Sequence, residues 1–297
     1  MKKILVIGSM NADLTIHTKR MPSLGETVEG FDFSVNAGGK GANQAVAVAK
    51  LGGNVNFLGA AGNDSNGKML LENFKNSGVE FSGFITEESS TGTASITVVN
   101  GDNFIILNAG ANNCITPAVI DRYSDLIKDS DIIVMQLEIP LESVIRAAEI
   151  AKKSDTLVVL NPAPCKDLPN SFLVNIDIII PNEHEAFLLT GINIDTEENC
   201  KKAIENLKDK GIETVIITLG GKGCVYNNGN NIIFRNAEKT TVIDTTSAGD
   251  TFIGAVCCGL SEGMALYECI DLATKASAIT VSRKGASCSI PTRDEIK

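Results

Sequence analysis

The sequence contains no tryptophan and only two histidines, His17 and His184, and aromatic residues make up 5% of its 297 positions. With so few histidines, a Ser-His-Asp triad or a His-ligated metal centre has little to be built from. The scarcity of flat rings leaves little for stacking on bases. Basic residues are in deficit: 26 Lys and Arg against 36 Asp and Glu give a net charge of -10, which argues against nucleic acid as a partner because phosphate backbones are bound by clustered cations. Any anionic ligand must be held by local donors. Eight cysteines are present without a Cys-x-x-Cys pair, so neither zinc nor a disulfide framework is suggested, and a reduced, cytoplasmic setting is expected. Long apolar runs are missing too. The run Ile4 to Ile7 ends at Gly8 and is too short for a signal peptide or a membrane span, so no membrane association is expected. Core-forming residues are plentiful, at 43% hydrophobic, enough for a soluble chain folded as one large α/β domain or two smaller ones.

The stretch Asp244-Thr-Thr-Ser-Ala-Gly-Asp250 organises the rest. It follows Lys239 to Ile243, read as the end of a strand, and leads into the apolar run Thr251 to Leu260, read as a buried helix. Unpaired amides and the positive end of a helix dipole then face one spot, which attracts anions. Ser247, Ala248 and Gly249 leave room there for a phosphoryl group, yet Asp250 adds a carboxylate that would repel one. Two explanations stand side by side: Asp250 takes a proton from an attacking hydroxyl, as an Asp does in phosphoryl transfer, or it caps its own helix.

A second polar cluster is Asn36-Ala-Gly-Gly-Lys-Gly-Ala-Asn43, ahead of the helix-like Gln44 to Leu51. Its glycines permit close backbone approach to a ligand, and Lys40 and Asn43 supply polar contacts. It is not a Walker A loop, because Gly41 rather than Ser or Thr follows Lys40, and no Gly-x-Gly-x-x-Gly follows the first strand. Asn11 and Asp13 point the same way if that segment is extended. They suit vicinal hydroxyls, and equally a turn.

Residues 14 to 37 lack helical periodicity, and Ala94 to Val99 with Phe104 to Leu107 flank Asn100-Gly-Asp-Asn103 as a hairpin. Together these predict a small sheet outside the main fold, a lid. Its apolar residues Val28, Phe31, Phe33, Ile96 and Ile106 and its open edge predict a homodimer. From residue 115 the pattern becomes regular: helix Pro117 to Lys128, strand Ile132 to Met135, helix Leu141 to Lys152, strands Leu157 to Leu160 and Ile176 to Ile180, helices Glu183 to Leu189 and Glu197 to Lys210, strand Thr214 to Thr218. The predicted class is α/β, a mainly parallel sheet with helices on both faces plus the lid, in a single domain over 1–297. Glu138, Asn161, Asn182 and Gly220-Gly-Lys-Gly223 fall at carboxyl ends of strands, where such sheets bind ligands.

These stretches resemble the ribokinase-like, phosphofructokinase-B type carbohydrate kinase family. The likeness runs from Gly8 to Pro291 and rests on Gly-Gly-Lys-Gly-Ala-Asn-Gln-Ala at 38–45 and Asp-Thr-Thr-Ser-Ala-Gly-Asp-Thr-Phe at 244–252. Gln136-Leu-Glu138, Asn161-Pro-Ala-Pro164, Asn182-x-x-Glu185 and Arg283-Lys-Gly-Ala286 support it. The resemblance implies ATP-dependent phosphorylation of D-ribose at its 5-hydroxyl. It implies that Asn11, Asp13, Gly39, Lys40, Asn43 and Glu138 hold the sugar, that Asp250 is the base, and that Ala248 and Gly249 amides form the anion hole. Asn182 and Glu185 would arrange hydrated Mg²⁺ and phosphates; Thr218 with Gly220, Gly221, Lys222 and Gly223 would border the nucleotide. An activating K⁺ would be held by Asp244, carbonyls of Thr246, Thr280, Arg283 and Gly285, and the Ser289 hydroxyl, an oxygen-only set. Thr274 stands near the adenine where related enzymes often carry His or Asn, and Ser247 where many have Ala. Other readings are a kinase for deoxyribose, fructose or a nucleoside, or a silent sugar-binding regulator on the same fold.

Overall fold

The structure is a computed structural model that describes residues 1–99 and 102–296. Nine strands form one sheet in the order Asn231–Arg235, Cys224–Asn228, Thr214–Thr218, Ile178–Ile179, Leu157–Leu160, Ile132–Met135, Lys3–Ile7, Asn54–Leu58, Glu80–Phe81. All neighbours pair in parallel except the last hairpin, Cys224–Asn228 with Asn231–Arg235, which adds antiparallel at one edge. Strands buried on both faces read as continuous apolar runs, and alternate residues feed two cores. Ile4 and Val6 pack in one, Leu5 and Ile7 in the other.

The chain starts on the strand Lys3–Ile7, builds outward through Asn54–Leu58, and returns to Ile132–Met135 on the other side before continuing that way. The connections leaving Ile7 and Met135 therefore diverge, and a crevice opens between them at the carboxyl ends of the strands. A second sheet, ordered Gly30–Gly38, Asn11–Thr18, Gly92–Val99, Asp102–Asn108, rises from the same edge, since Asn11 follows the first strand closely and pairs with Gly38. The antiparallel pairing of Gly92–Val99 with Asp102–Asn108 is the expected hairpin; Asn100 and Gly101 of its turn lie outside the described residues.

Several expected boundaries moved. Residues 239–243 form no strand: Val242 and Ile243 are exposed, and the Ile243 N–H donates to the Val281 carbonyl rather than to a sheet. The region 117–128 is two helices, Pro117–Arg122 and Ser124–Lys128, broken at Tyr123. The strand expected over 176–180 is only Ile178–Ile179. The helix expected to start at Thr251 begins earlier and spans Ala248–Ser261, with Ser247 at its cap in the left-handed region at φ 60°. Asp250 lies inside its first turn, so it is not the cap of this helix.

The helix Ala248–Ser261 packs against the helix Lys40–Lys50, and the contact is close at Gly254. A Cβ added there would lie 2.4 Å from the Ala47 Cβ and 3.0 Å from the Gln44 carbonyl oxygen. Gly254→Ala gains helix propensity of about 1 kcal/mol, yet overpacking at a backbone contact costs about 1–3 kcal/mol. Urea denaturation should show a net loss of stability in the variant; a stabilised variant would mean that the two helices separate freely.

Candidate active site

The helix Lys40–Lys50 starts over the crevice, and its glycines explain how. Gly39 has φ 90°, and a Cβ there would meet the Asn11 nitrogen at 2.8 Å; one on Gly41 would meet Ser9 backbone atoms at 2.8 Å. The close approach allowed by these glycines is to the chain's own crossing segment, Gly8 to Asn11. That approach brings Lys40, Asn43 and Gln44 beside residues that follow the first strand.

Asp250 sits across from them and is only 8% exposed. Its Oδ2 accepts from Asn43 Nδ2 at 3.1 Å and its Oδ1 from Gln44 Nε2 at 3.0 Å. Burial raises its pKa, while Lys40 and the two amides pull it back and Glu138 adds to the rise. The first turn of a helix would by itself lower it; burial outweighs that effect. Asn43 Oδ1, buried, has no hydrogen-bond partner among the described residues and is left as an acceptor.

Around Asp250 the other expected sugar residues gather. Glu138 Oε2 accepts from Ser9 Oγ at 2.5 Å and from the Lys40 N–H at 3.1 Å. Asn11 Oδ1 accepts from Asn112 Nδ2 at 2.7 Å, and Asn112 Oδ1 accepts from the Met10 N–H at 3.0 Å. With its oxygen engaged, the Asn11 amide is oriented to offer its N–H₂. Asp13 lies over Gly38, where a Cβ would be 2.1 Å from its carboxylate. Burial first, then the charges of Glu138 and Asp250, push its pKa up to about 7 from 3.8, against the pull of Lys40. Burial opposes the charge of Lys40 itself, but Asp250, Glu138, Glu185 and Asp13 together hold its pKa above the ordinary value.

Asn182 and Glu185 form a capping box on the helix Glu183–Thr190. Both Glu185 oxygens accept from Asn182, from its N–H and its Nδ2, at 2.9 Å each. Burial raises the pKa of Glu185, opposed by the Asn182 N–H and Lys40. The strand end Thr218 bridges to Asn182, and Lys222 on the turn Gly220–Lys222 reaches Glu183 at 3.6 Å. Thr274 is buried in the helix Leu266–Val281, its hydroxyl donating to the Ile270 carbonyl at 2.7 Å. In the remaining group, Asp244 Oδ1 accepts from the Thr246 N–H at 2.9 Å and Oδ2 from the Gly285 N–H at 2.9 Å, which ties two loops together. The Ala248 N–H donates to the Thr245 carbonyl at 3.2 Å.

Sequence reasoning missed Ser9, Asn112, Gln44 and Gln136 as polar groups of this region. Gln44 and Gln136 stood within quoted motifs, and their complete burial was the property that sequence could not display. Asn112 lay in a Gly-Ala-Asn-Asn stretch that carries no readable periodicity or motif.

A mostly parallel doubly wound sheet, a small second sheet and a buried Asp at a helix start among converging amide, lysine and carboxylate side chains define a class, and the chain belongs to the pfkB family of carbohydrate kinases, whose profile matches residues 1–293. Within that class it is similar to ribokinases. The Haemophilus influenzae ribokinase is 44% identical, with 99% of this chain and 97% of the relative covered; that of Staphylococcus aureus is 41% identical, covering 99% and 98%. The structure of Arabidopsis thaliana ribokinase complexed with ribose and ATP matches with a TM-score of 0.94 at 33% identity, covering 99% of this chain and 97% of that one.

The Asp13 carboxyl makes stability depend on pH. Its folded pKa, about 7, lies above its ordinary 3.8, so between those values the folded chain binds more protons than the unfolded one. Stability from this group is thus full below about pH 4 and is lost as pH rises through about 7. Asp13→Asn should therefore gain in melting temperature relative to the parent on going from pH 5 to pH 8. A difference that stays constant with pH would overturn this.

Proposed function

We propose that the protein transfers the γ-phosphoryl group of ATP to the 5-hydroxyl of D-ribose, giving D-ribose 5-phosphate and ADP. The observation that carries this reading is the convergence of hydroxyl-binding side chains from separate strand ends on one buried carboxylate beside a helix start. Asp13, Glu138 and Asn43 Oδ1 accept from sugar hydroxyls, while Asn11 and Lys40 donate; Gly39 brings its backbone into the same crevice. The second sheet, with strands over about 14–37 and 94–107, acts as a lid that excludes water. Asp250 takes the proton of the 5-hydroxyl as the new O–P bond forms and the bond to the ADP oxygen breaks. The hydroxyl is most acidic late in such a transfer, so a correctly placed carboxylate suffices. Burial, by raising its pKa, makes it a stronger base.

The start of the helix Ala248–Ser261 serves as the anion hole through Gly249 and through Ala248, whose N–H is shared with Thr245. A Cβ on Gly249 would meet nothing within 4 Å, so the space in front of it is open to a phosphoryl group. Thr218 and Gly220 to Gly223 border the nucleotide, with Thr274 on the adenine side. Mg²⁺ neutralises phosphate charge when bound. Asn182 and Glu185 suit it through water, since the Glu185 oxygens are already engaged by Asn182 and Mg²⁺ keeps several waters. A cytoplasmic enzyme fits these substrates, and among the described residues no helix is long and apolar enough to cross a membrane.

Purified protein given ATP, Mg²⁺ and a panel of pentoses, hexoses and nucleosides should release ADP with ribose; ADP release with a nucleoside alone would sink the sugar assignment. Asp250→Asn should keep ribose binding while turnover falls about 10²- to 10⁴-fold. Near-normal turnover in the folded variant would remove the base role.

Asp244 is one carboxylate among oxygen donors, Thr246, Thr280, Arg283, Gly285 and Ser289, a set that fits a monovalent cation. Among the described residues no group of three or more His, Cys, Asp or Glu could hold a metal. K⁺ there would brace the turn leading to Ala248, so turnover should rise in K⁺ over tetramethylammonium at equal ionic strength. Equal rates would dismiss the site.

The second sheet also offers a dimer surface. Phe33 is 62% and Ile106 75% exposed on its two edge strands, with Phe31 exposed beside them, whereas Val28 and Ile96 are half-buried. Such an apolar edge favours pairing with a second copy. Light scattering at micromolar concentration should give twice the chain mass; a monomer mass would end the proposal.

A further inference from the structure

Gln44 and Gln136 are wholly buried, and neither has a part in the sugar, nucleotide or ion contacts above. Gln136 Nε2 donates to Gln44 Oε1 at 2.6 Å. Gln44 Nε2 in turn donates to Asp250 Oδ1 at 3.0 Å and to Asn161 Oδ1 at 3.3 Å, and Asn161 Nδ2 donates to the Ile180 carbonyl at 3.1 Å. The direction of this chain is forced. A carboxylate only accepts, so Gln44 must turn its N–H₂ toward Asp250, which leaves its oxygen for the N–H₂ of Gln136. Gln136 Oε1 is then buried without a partner among the described residues, and it lies where a Cβ on Gly8 would be, 2.0 Å from that position. A buried unpaired acceptor is costly. Flipping Gln136 would set its oxygen against that of Gln44, a worse arrangement, so the unpaired acceptor persists for the sake of the donor end.

We propose that Gln136 and Gln44 are positioning residues, an amide relay that locks the Asp250 carboxylate in one orientation with Oδ1 engaged. Oδ2, beside Asn43, whose own Oδ1 is left over for a sugar hydroxyl, is the oxygen that receives the hydroxyl proton. A carboxylate oxygen has two lone-pair sites, so Oδ2 can hold the Asn43 N–H and still accept from the sugar. Hydrogen bonds in series polarise one another, so Gln136 strengthens what Gln44 gives. This proposal rests on Asp250 being the base.

The relay is tested with Gln44→Met, Gln136→Met and the double variant, each close in shape to the parent. In Gln44→Met the turnover number with ribose and ATP should fall about 10- to 100-fold while the KM for ribose stays within about threefold, as expected when only a transition-state interaction is lost. Gln136→Met should fall less, and the double variant should be no worse than Gln44→Met, because Gln136 acts through Gln44. A readout free of substrate is the ¹³C titration of the Asp250 carboxyl. Its midpoint should move to higher pH by about one pH unit or more in Gln44→Met, in a field set by Lys40, Glu138, Asp13 and Glu185 that is the same in each variant. An unmoved midpoint in folded Gln44→Met, or additive losses in the double variant, would overturn the relay. Should Gln44→Met fail to fold, the midpoint in Gln136→Met decides. Failure of the parent to use ribose would remove the sugar reading but leave the titration to judge the relay.

Discussion

Asp250 carries a carboxylate into the interior, and a buried carboxylate survives only where donors are aimed at it. Here both donors come from one helix, Lys40–Lys50, through Asn43 and Gln44. The pairing sets the distance between that helix and Ala248–Ser261, and the glycine at 254 lets the two axes come close enough. The crevice at the reversal of strand order depends on the same contact, because the starts of both helices meet there, through Lys40 at Glu138 and Asn43 at Asp250.

Charge reinforces the geometry. Lys40 lies among Asp250, Glu138, Glu185 and Asp13, and their attraction outweighs the burial that opposes its charge. The reverse balance holds at Asp13, where burial and like charges outweigh Lys40. One lysine thus meets more acid than it can neutralise. The surplus negative charge is an electrostatic cost that the rest of the fold must offset.

The parallel strands were legible because each is covered on both faces and reads as a short apolar block; Ile132–Met135, Leu157–Leu160 and Thr214–Thr218 fall where expected. The same rule misled at 239–243, where β-branched residues stand exposed without a partner strand. Propensity cannot report whether a neighbour exists. Lys40, Asn43, Glu138 and Asp250 could be singled out because chemistry and turn-forming residues cluster locally around them. Gln44, Gln136 and Asn112 could not, since an amide earns its place through the far partner it meets. The capping box at Asn182 was readable for the opposite reason, both partners being three residues apart.

Asn43 and Asp250 are 207 positions apart in the chain, and Lys40 and Glu138 are 98 apart. Contacts of such long range require the intervening chain to be folded back on itself, at a loop-closure cost in entropy. The site therefore exists only in the complete fold, and no fragment ending before residue 250 can hold even a weakened version of it. By linkage, a ligand that gathers these residues holds together the first and last thirds of the polypeptide. Protection of amide hydrogens by such a ligand would accordingly extend to helices that never touch it.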